Sequence, residues 1–217
     1  NLALGTGALA MADGTTLRVA GSALSLANAV AISGTGTVDT NGNDLALGGI
    51  VSGGALTKAG AGTLTLANAN GFTGGTNLNA GTITVAGGGS LGAGTLTAAD
   101  GTTLRVGITG GQAITVANKI VTNGVLTIGL GGTVGGSPSL NPATGLVITD
   151  GNDVTLSGAI SGAGGLATDG NAPGNLTLNA ANSYTGGTAI NRASVSVGTG
   201  TSLGTGTVTL DVGGIVN

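Results

Sequence analysis

The chain has 217 residues, of which 48 are Gly, 3 are Pro and none is Cys or His, and only 6% are charged. Glu is absent and Lys and Arg are scarce; these residues favour helices, so the composition excludes a mainly helical fold. A net charge of −3 with five basic residues excludes nucleic acid as a partner, because nucleic-acid binding depends on phosphate neutralisation.

The first predicted elements belong to the phrase LGTGALAMADGTTLRV, which begins at Leu4. It recurs from Leu91 as LGAGTLTAADGTTLRV, and its opening recurs from Leu203 as LGTGTVTL. Repeats of this kind are typical of solenoids and arrays. We predict one segment over residues 1–217, with long repeat copies at about 4–90 and 91–202 and a third copy beginning at 203.

Short strands are predicted within each copy from an alternation with a period of two. In GTLTLAN, Leu64 and Leu66 alternate with Thr63 and Thr65, and the phrases GTITVAG and GNLTLNA follow the same scheme. Alternation of this type places one face of a strand inside and the other outside. The runs are three to five residues long and end at Gly, Asn or Asp, which tolerate tight bends.

A longer phrase, from Gly62, contains NGFTGGT and has a second copy from Gly174 that contains NSYTGGT. The single Phe and the single Tyr of the chain, Phe72 and Tyr184, occupy the same place in the two copies. We interpret each ring as the filler of a wide corner, since an aromatic side chain buries a large area with two torsions. The alternative is an exposed ring that stacks on a ligand.

The distance between matching phrases grows across residues 107–150, where the second copy contains TIGLGGTVGGSPSLNPATG. Leu4 and Leu91 are 87 residues apart, whereas Asn41 and its counterpart Asp150 are 109 apart. The extra 22 residues indicate one added module with about three strands. We predict an all-β fold, a parallel β-helix (β-solenoid) of about ten coils, roughly 50 Å long. The alternative, an antiparallel β-sandwich, would need more aromatic core and regular Asn-Gly hairpin turns.

The two long phrases resemble the passenger-associated transport repeat of bacterial autotransporters (autotransporter-associated β-strand repeats). The matching residues are Gly60, Gly62, Leu64, Leu66, Asn70, Phe72, Gly74, Gly75 and Thr76, then Gly81 and Ile83, in the first copy and Leu176, Leu178, Asn182, Tyr184, Gly186, Gly187 and Thr188 in the second. The second copy departs at Leu166-Ala167-Thr168, at Pro173 and at Ala193. The resemblance implies a right-handed β-helix that is exported through the outer membrane of a Gram-negative bacterium and aids passenger secretion and folding.

Catalytic and cofactor chemistry have few candidates. Without His and Cys, thiolate nucleophiles, His bases and the usual zinc sites are excluded. Asp13 and Asp100 share one place in ADGTTLRV, with Arg18 and Arg105 five residues later; we interpret them as turn-forming and solvated residues. We therefore predict no catalytic, cofactor-binding or metal residues and no enzyme activity. The alternative, a polysaccharide-degrading β-helix enzyme, requires charged side chains clustered on adjacent coils.

Two further binding alternatives depend on short patterns. The sequence GND at 42–44 and 151–153 faintly resembles calcium-binding repeats, which need tandem copies. The outward Thr pairs Thr63/Thr65, Thr82/Thr84, Thr95/Thr97 and Thr207/Thr209 could form a hydroxyl array that binds ice. Thr is also simply a favourable exposed strand residue.

The predicted function is that of a stalk in the passenger of a surface-exposed or secreted autotransporter, supporting adhesion or self-association. The expected partners are a second copy or a host-surface or glycan ligand. We expect no membrane insertion by this segment. Because the chain starts at Asn1, we interpret it as a piece of a longer precursor, in which the resemblance implies a C-terminal translocator barrel.

Overall fold

The computed structural model describes residues 4–87, 89–106, 114–122, 126–129, 132–134, 139–140, 145–149, 153–168 and 175–217. Over these residues the chain is all-β, and its strands pair in parallel with strands of the next coil. This arrangement confirms the predicted parallel β-solenoid, and the described residues form no antiparallel hairpin. The solenoid makes about eight turns, slightly fewer than the ten predicted.

Three sheets run along the solenoid. The first contains β1 (Leu9–Met11), β2 (Thr16–Arg18), β4 (Val30–Asp39), β6 (Val51–Ala59), β8 (Gly71–Phe72), β9 (Thr76–Leu78), β11 (Leu96–Ala98), β14 (Ile120–Thr122), β17 (Ser139–Leu140) and β20 (Ser161–Gly162). The second contains β3 (Leu24–Leu26), β5 (Leu45–Leu47), β7 (Thr63–Leu66), β10 (Thr82–Val85), β12 (Thr102–Val106), β15 (Leu126–Gly129), β18 (Gly145–Thr149), β21 (Gly165–Thr168), β23 (Thr188–Ile190) and β25 (Val208–Leu210). The third contains β13 (Ile114–Val116), β16 (Gly132–Val134), β19 (Val154–Leu156), β22 (Asn175–Leu178), β24 (Ser194–Val197) and β26 (Ile215–Val216).

The interior is a thin column of aliphatic side chains. In β7 and β10 the residues alternate between half-exposed Thr and buried Leu, Ile or Val, as the period of two predicts. Leu64 pairs in register with Ile83, and Ile83 with Leu104, so buried residues stack directly on one another. Each coil is too thin to enclose a core by itself, and its stability therefore depends on the coils on either side.

The Asn-Gly pair at 41–42 forms a corner of a coil. Asn41 and Gly42 have φ angles of 48° and 78°, in the left-handed region that Gly adopts freely and Asn tolerates. The pair lies between β4 and β5, which belong to different sheets. Asn-Gly here turns the chain from one face of the solenoid to the next instead of closing a hairpin. The pair Asn123-Gly124 lies outside the described residues.

The two long repeats lie on different faces of the solenoid. In the first copy β6 and β9 lie in the first sheet, and β7 and β10 lie in the second. The matching strands of the second copy, β21 with β23 and β22 with β24, lie in the second and third sheets. The second copy is therefore turned by one face, and the spacing between the copies is not a whole number of coils.

Candidate functional site: two clamps that each join three coils

The aromatic phrase of the first copy, NGFTGGT at 70–76, joins neighbouring coils from the inside, and we call this arrangement a clamp. Phe72 is 0% exposed. Asn70, two residues earlier, accepts a hydrogen bond from the backbone N of Val51 at 2.8 Å and donates one to the carbonyl O of Ser90 at 2.7 Å. Val51 lies one coil before Asn70 and Ser90 one coil after it. One amide side chain therefore joins three consecutive coils.

The second copy repeats this geometry on another face. Tyr184 is 0% exposed. Asn182 accepts a bond from the backbone N of Ile160 at 2.8 Å and donates one to the carbonyl O of Ser202 at 2.5 Å. Both of these bonds are buried. The chain has no aromatic side chain besides these two, so neither copy presents an aromatic face on which a ligand could stack.

Each ring packs against a Gly of the following coil. A Cβ on Gly92 would lie 2.8 Å from Cδ2 of Phe72, and one on Gly204 would lie 2.8 Å from Cε2 of Tyr184. Both Gly residues have positive φ, 64° and 71°. They belong to the repeated phrase Ser-Leu-Gly at 90–92 and 202–204, which the sequence analysis did not connect with the clamps. The available signal was that Ser-Leu-Gly begins 18 residues after each aromatic residue, at 90 after Phe72 and at 202 after Tyr184.

A buried Thr completes each clamp. Oγ1 of Thr76 donates to the carbonyl O of Leu91 at 3.4 Å, and Oγ1 of Thr188 donates to that of Leu203 at 3.0 Å. In the second copy the Tyr184 hydroxyl also hydrogen-bonds to Oγ1 of Thr188 at 2.5 Å. Burial raises the pKa of Tyr184, and the hydrogen bond to Thr188 opposes part of this shift.

The Gly-Gly pairs of both motifs lie against backbone of neighbouring coils. Gly75 and Gly187 have φ of 90° and 89°, and a Cβ on either would lie 2.7 Å from a carbonyl O, of Thr95 or Thr207. Their partners Gly74 and Gly186 are equally close to the preceding coil. No side chain fits at these corners.

The remaining motif residues line the core or its corners. Leu64, Leu66, Leu176 and Leu178 are buried, and Gly60 turns with a φ of 78°. A Cβ on Gly62 would collide with the carbonyl group of Asn43. Ala193 takes the place of Gly81, which has a φ of 70° in the first copy. In the second copy the positive φ lies one residue earlier, at Arg192, with a value of 49°. Pro173 lies outside the described residues.

Lys58 is buried in the interior of the first repeat, and the sequence analysis did not predict this burial. It is 0% exposed, and burial lowers its pKa to about 8, although Asp39 and Asp44 act in the opposite direction. Lys58 is two residues after the buried Leu56, so the alternation itself places it on the inner face. In the second copy the equivalent Thr168 bonds to the backbone N and O of Asn191.

A second set of Asn side chains also joins coils. Nδ2 of Asn28 donates to the carbonyl O atoms of Gly5 and Gly7, at 3.1 and 2.7 Å. Nδ2 of Asn118 donates to the carbonyl O of Gly92 at 3.0 Å and of Gly94 at 2.7 Å. The signal for this pair was Ala-Asn at 27–28 and 117–118, each after a copy of Leu-Gly-x-Gly.

Asp13, Asp44 and Asp153 lie at separate corners of the solenoid. Oδ1 of Asp13, Asp44 and Asp153 accepts hydrogen bonds from backbone N atoms 22, 19 and 22 residues further along the chain. In both GND phrases the Asp therefore accepts a hydrogen bond from the backbone of the next coil. Residues 151–152 lie outside the described part. Arg18 pairs with Asp39 at 3.3 Å and is largely exposed. Among the described residues no three acidic groups converge in a way that could hold a metal ion.

The outward Thr pairs do not form one array. Thr63 and Thr65 lie in register with Thr82 and Thr84 on the second sheet, but Arg105 follows Thr84 in the same row. Thr97 lies on the first sheet. Thr207 and Thr209 lie at the far end of the solenoid. A shallow depression of about 300 Å³ beside Gly186, Gly187 and Thr209 has no charged side chain in its lining.

Comparisons with known proteins place both aromatic phrases within one family of repeats. The Passenger-associated-transport-repeat family matches residues 56–85 and 173–197, which contain both aromatic phrases. A curated relative, the Adhesin BmaC autotransporter of Brucella suis biovar 1 (strain 1330), is 33% identical over 154 residues, or 66% of this chain. Both matches support an autotransporter passenger domain.

The chain spans only about 4% of the length of that relative. No solved structure gives a significant match to it. In the described part of the segment, no helix has the length and apolar character needed to cross a membrane. Gly92 and Gly204, which cover the two rings, lie outside the matched ranges, so each clamp extends beyond the family motif.

Proposed function

We propose that this segment is a stalk in the passenger of an autotransporter at the surface of a Gram-negative bacterium or secreted from it. The observation that carries the proposal is the clamp, which ties three coils through Asn70 in one copy and Asn182 in the other. A solenoid coil is stabilised mainly by its neighbours. Cross-links over three coils therefore favour ordered winding of the passenger once it reaches the outside of the cell.

The test is display of the complete precursor, in which we expect a C-terminal translocator barrel, on a Gram-negative host. Asn70→Ala combined with Asn182→Ala should lower the amount of passenger that protease releases from intact cells, while translocator levels stay unchanged. The control is Asn68→Ala, which removes one exposed bond to the carbonyl O of Gly48. Equal surface amounts for all three proteins would contradict a role of the clamps in secretion and folding.

The stalk supports adhesion by holding other parts of the passenger away from the cell. Self-association of rods is a second contribution, favoured by the low charge of the chain, 6% of residues. Purified segment should then show concentration-dependent association in sedimentation experiments but no saturable binding to cells or glycans. Saturable glycan binding would instead assign adhesion to the segment itself.

We also propose that the segment is not catalytic. The described acidic side chains at 13, 44 and 153 already accept backbone hydrogen bonds at separate corners. A glycosidase requires two carboxyl groups that are available as acid and base. Incubation with a panel of polysaccharides should release no sugar, and release above a heat-denatured control would overturn this proposal.

A further inference from the structure

The alternating pattern of this solenoid does not by itself set the register between coils. Strands β7 and β10 read TLTL and TITV. A shift of one residue would turn every buried side chain outward, which the hydrophobic effect prevents. A shift of two residues, however, keeps Leu, Ile and Val inside and Thr outside. Some other feature must therefore fix which residue lies opposite which.

Lys58 has the contacts that such a feature requires. Its Nζ donates to Oγ1 of Thr40 at 3.0 Å in the preceding coil and to the carbonyl O of Ala80 at 3.0 Å in the following coil. Within its own coil it reaches the carbonyl O atoms of Ala59 at 2.9 Å and Gly60 at 2.6 Å. The ammonium group is therefore surrounded by oxygen atoms from three coils.

These contacts depend on the observed register. A two-residue shift of β9 or β4 against β6 would displace the oxygen atoms by about 6.6 Å. The ammonium group, the single charged group among the buried side chains of the described residues, would then lack partners from those coils. A buried charge without partners is strongly unfavourable, and single buried polar residues fix register in coiled coils in the same way.

We propose that Lys58 is a register pin, a buried cation that allows only one alignment of the coils before and after β6. The charges that face it are Asp39 on β4 and Asp44 in the corner before β5, and Arg18 pairs with Asp39 from outside. Residues 76–81 on the other side contain no charged side chain. With a pKa of about 8, Lys58 is mainly protonated at neutral pH.

Disulfide trapping in the full 217-residue chain tests the pin. Thr57 and Asn77 are register partners on the outer face, and Ala59 would take the place of Thr57 after a two-residue shift. Adjacent strands are close enough for a disulfide only between residues that lie opposite each other. The Cys pairs T57C/N77C and A59C/N77C thus report the observed and the shifted register, in backgrounds with Lys58, K58M or K58T.

With Lys58 present, T57C/N77C should oxidise almost completely and A59C/N77C should oxidise at least tenfold less in the folded monomer at pH 7. K58M keeps the volume without the charge, and K58T introduces the residue of the second copy. Both should raise the A59C/N77C disulfide severalfold, even if K58M leaves the denaturation midpoint unchanged. A shifted disulfide that stays at the level of the Lys58 protein in both backgrounds, or that is already abundant with Lys58, would overturn the proposal.

Discussion

The two transport repeats share their clamps but differ on the outer face and at one buried position, Lys58 in the first copy and Thr168 in the second. Phe72 and Tyr184 fill the same corner and are both 0% exposed, and Asn70 and Asn182 make the same pair of bonds to the coils on either side. The outward residues beside the motifs differ, since Thr57 and Asn77 correspond to Ala167 and Ala189. These residues are register partners within each copy, so the exchange changes two adjacent positions of the outer surface.

The orientation of the copies strengthens this contrast. Because the second copy is turned by one face, equivalent outer surfaces point in different directions and do not combine into one binding face. The features that the copies share act on neighbouring coils, wherever on the rod they occur. We infer that the repeat works from inside the solenoid.

Removal of the rings should have the largest effect. Phe72→Ala and Tyr184→Ala each leave a large cavity and should cost about 3–5 kcal/mol of unfolding free energy. Urea denaturation followed by circular dichroism measures the loss, with the outward substitution Thr63→Ala as control. A loss below about 1 kcal/mol for either ring would show that its copy does not depend on the clamp.

The bridging amides should have the next largest effect and should distinguish the copies. Asn182→Ala leaves the N of Ile160 and the carbonyl O of Ser202 without their partner, and each unpaired buried group costs about 1–3 kcal/mol. Asn70→Ala removes bonds that are only partly buried, so water can replace them more readily. We expect the same denaturation experiment to give a larger loss of unfolding free energy for Asn182→Ala than for Asn70→Ala. The reverse order would contradict the inference that the more deeply buried bonds contribute more.

Sequence alone predicted the repeated coil and the inner face of the strands, because both follow from the period of two. It could not predict the turn of the second copy by one face. That turn depends on how many residues each corner uses, and the observed hydrogen bonds between coils span 15 to 27 residues. It also missed Lys58, because a lysine is expected at the surface. The alternation nevertheless places Lys58 on the inner face, since it is two residues after the buried Leu56. Gly92 and Gly204 were missed because they contact the rings from a different coil.

Alkaline pH should act on the two copies in opposite directions. Lys58 has a pKa lowered from 10.5 to about 8, so the cost of burying its charge is present below pH 8 and disappears as pH rises from 8 to 10.5. Tyr184 has a pKa raised above 10.0. Its neutral form is favoured in the folded state, and the stability it contributes is lost as pH rises through the raised value.

Urea midpoints at pH 7, 9 and 10.5 for the unmodified protein, K58M and Y184F separate these effects. The midpoint of the unmodified protein should rise relative to K58M between pH 7 and 9. At pH 10.5 and above it should fall relative to Y184F. Parallel pH profiles for all three proteins would show that neither group titrates differently in the folded and unfolded states.

Exchange of the two aromatic residues should have the smallest effect. Tyr184→Phe removes the hydroxyl that bonds to Thr188 but keeps the ring, and Thr188 retains its bond to the carbonyl O of Leu203. A typical hydrogen bond contributes about 0.5–1.5 kcal/mol, so the loss should fall in this range. Phe72→Tyr places a hydroxyl in the corner where Thr76 occupies the position of Thr188, and it should change stability by less than about 1 kcal/mol. If Phe72→Tyr instead destabilised as strongly as Phe72→Ala, the two corners would differ in shape, and the clamps could no longer be treated as one structure used twice.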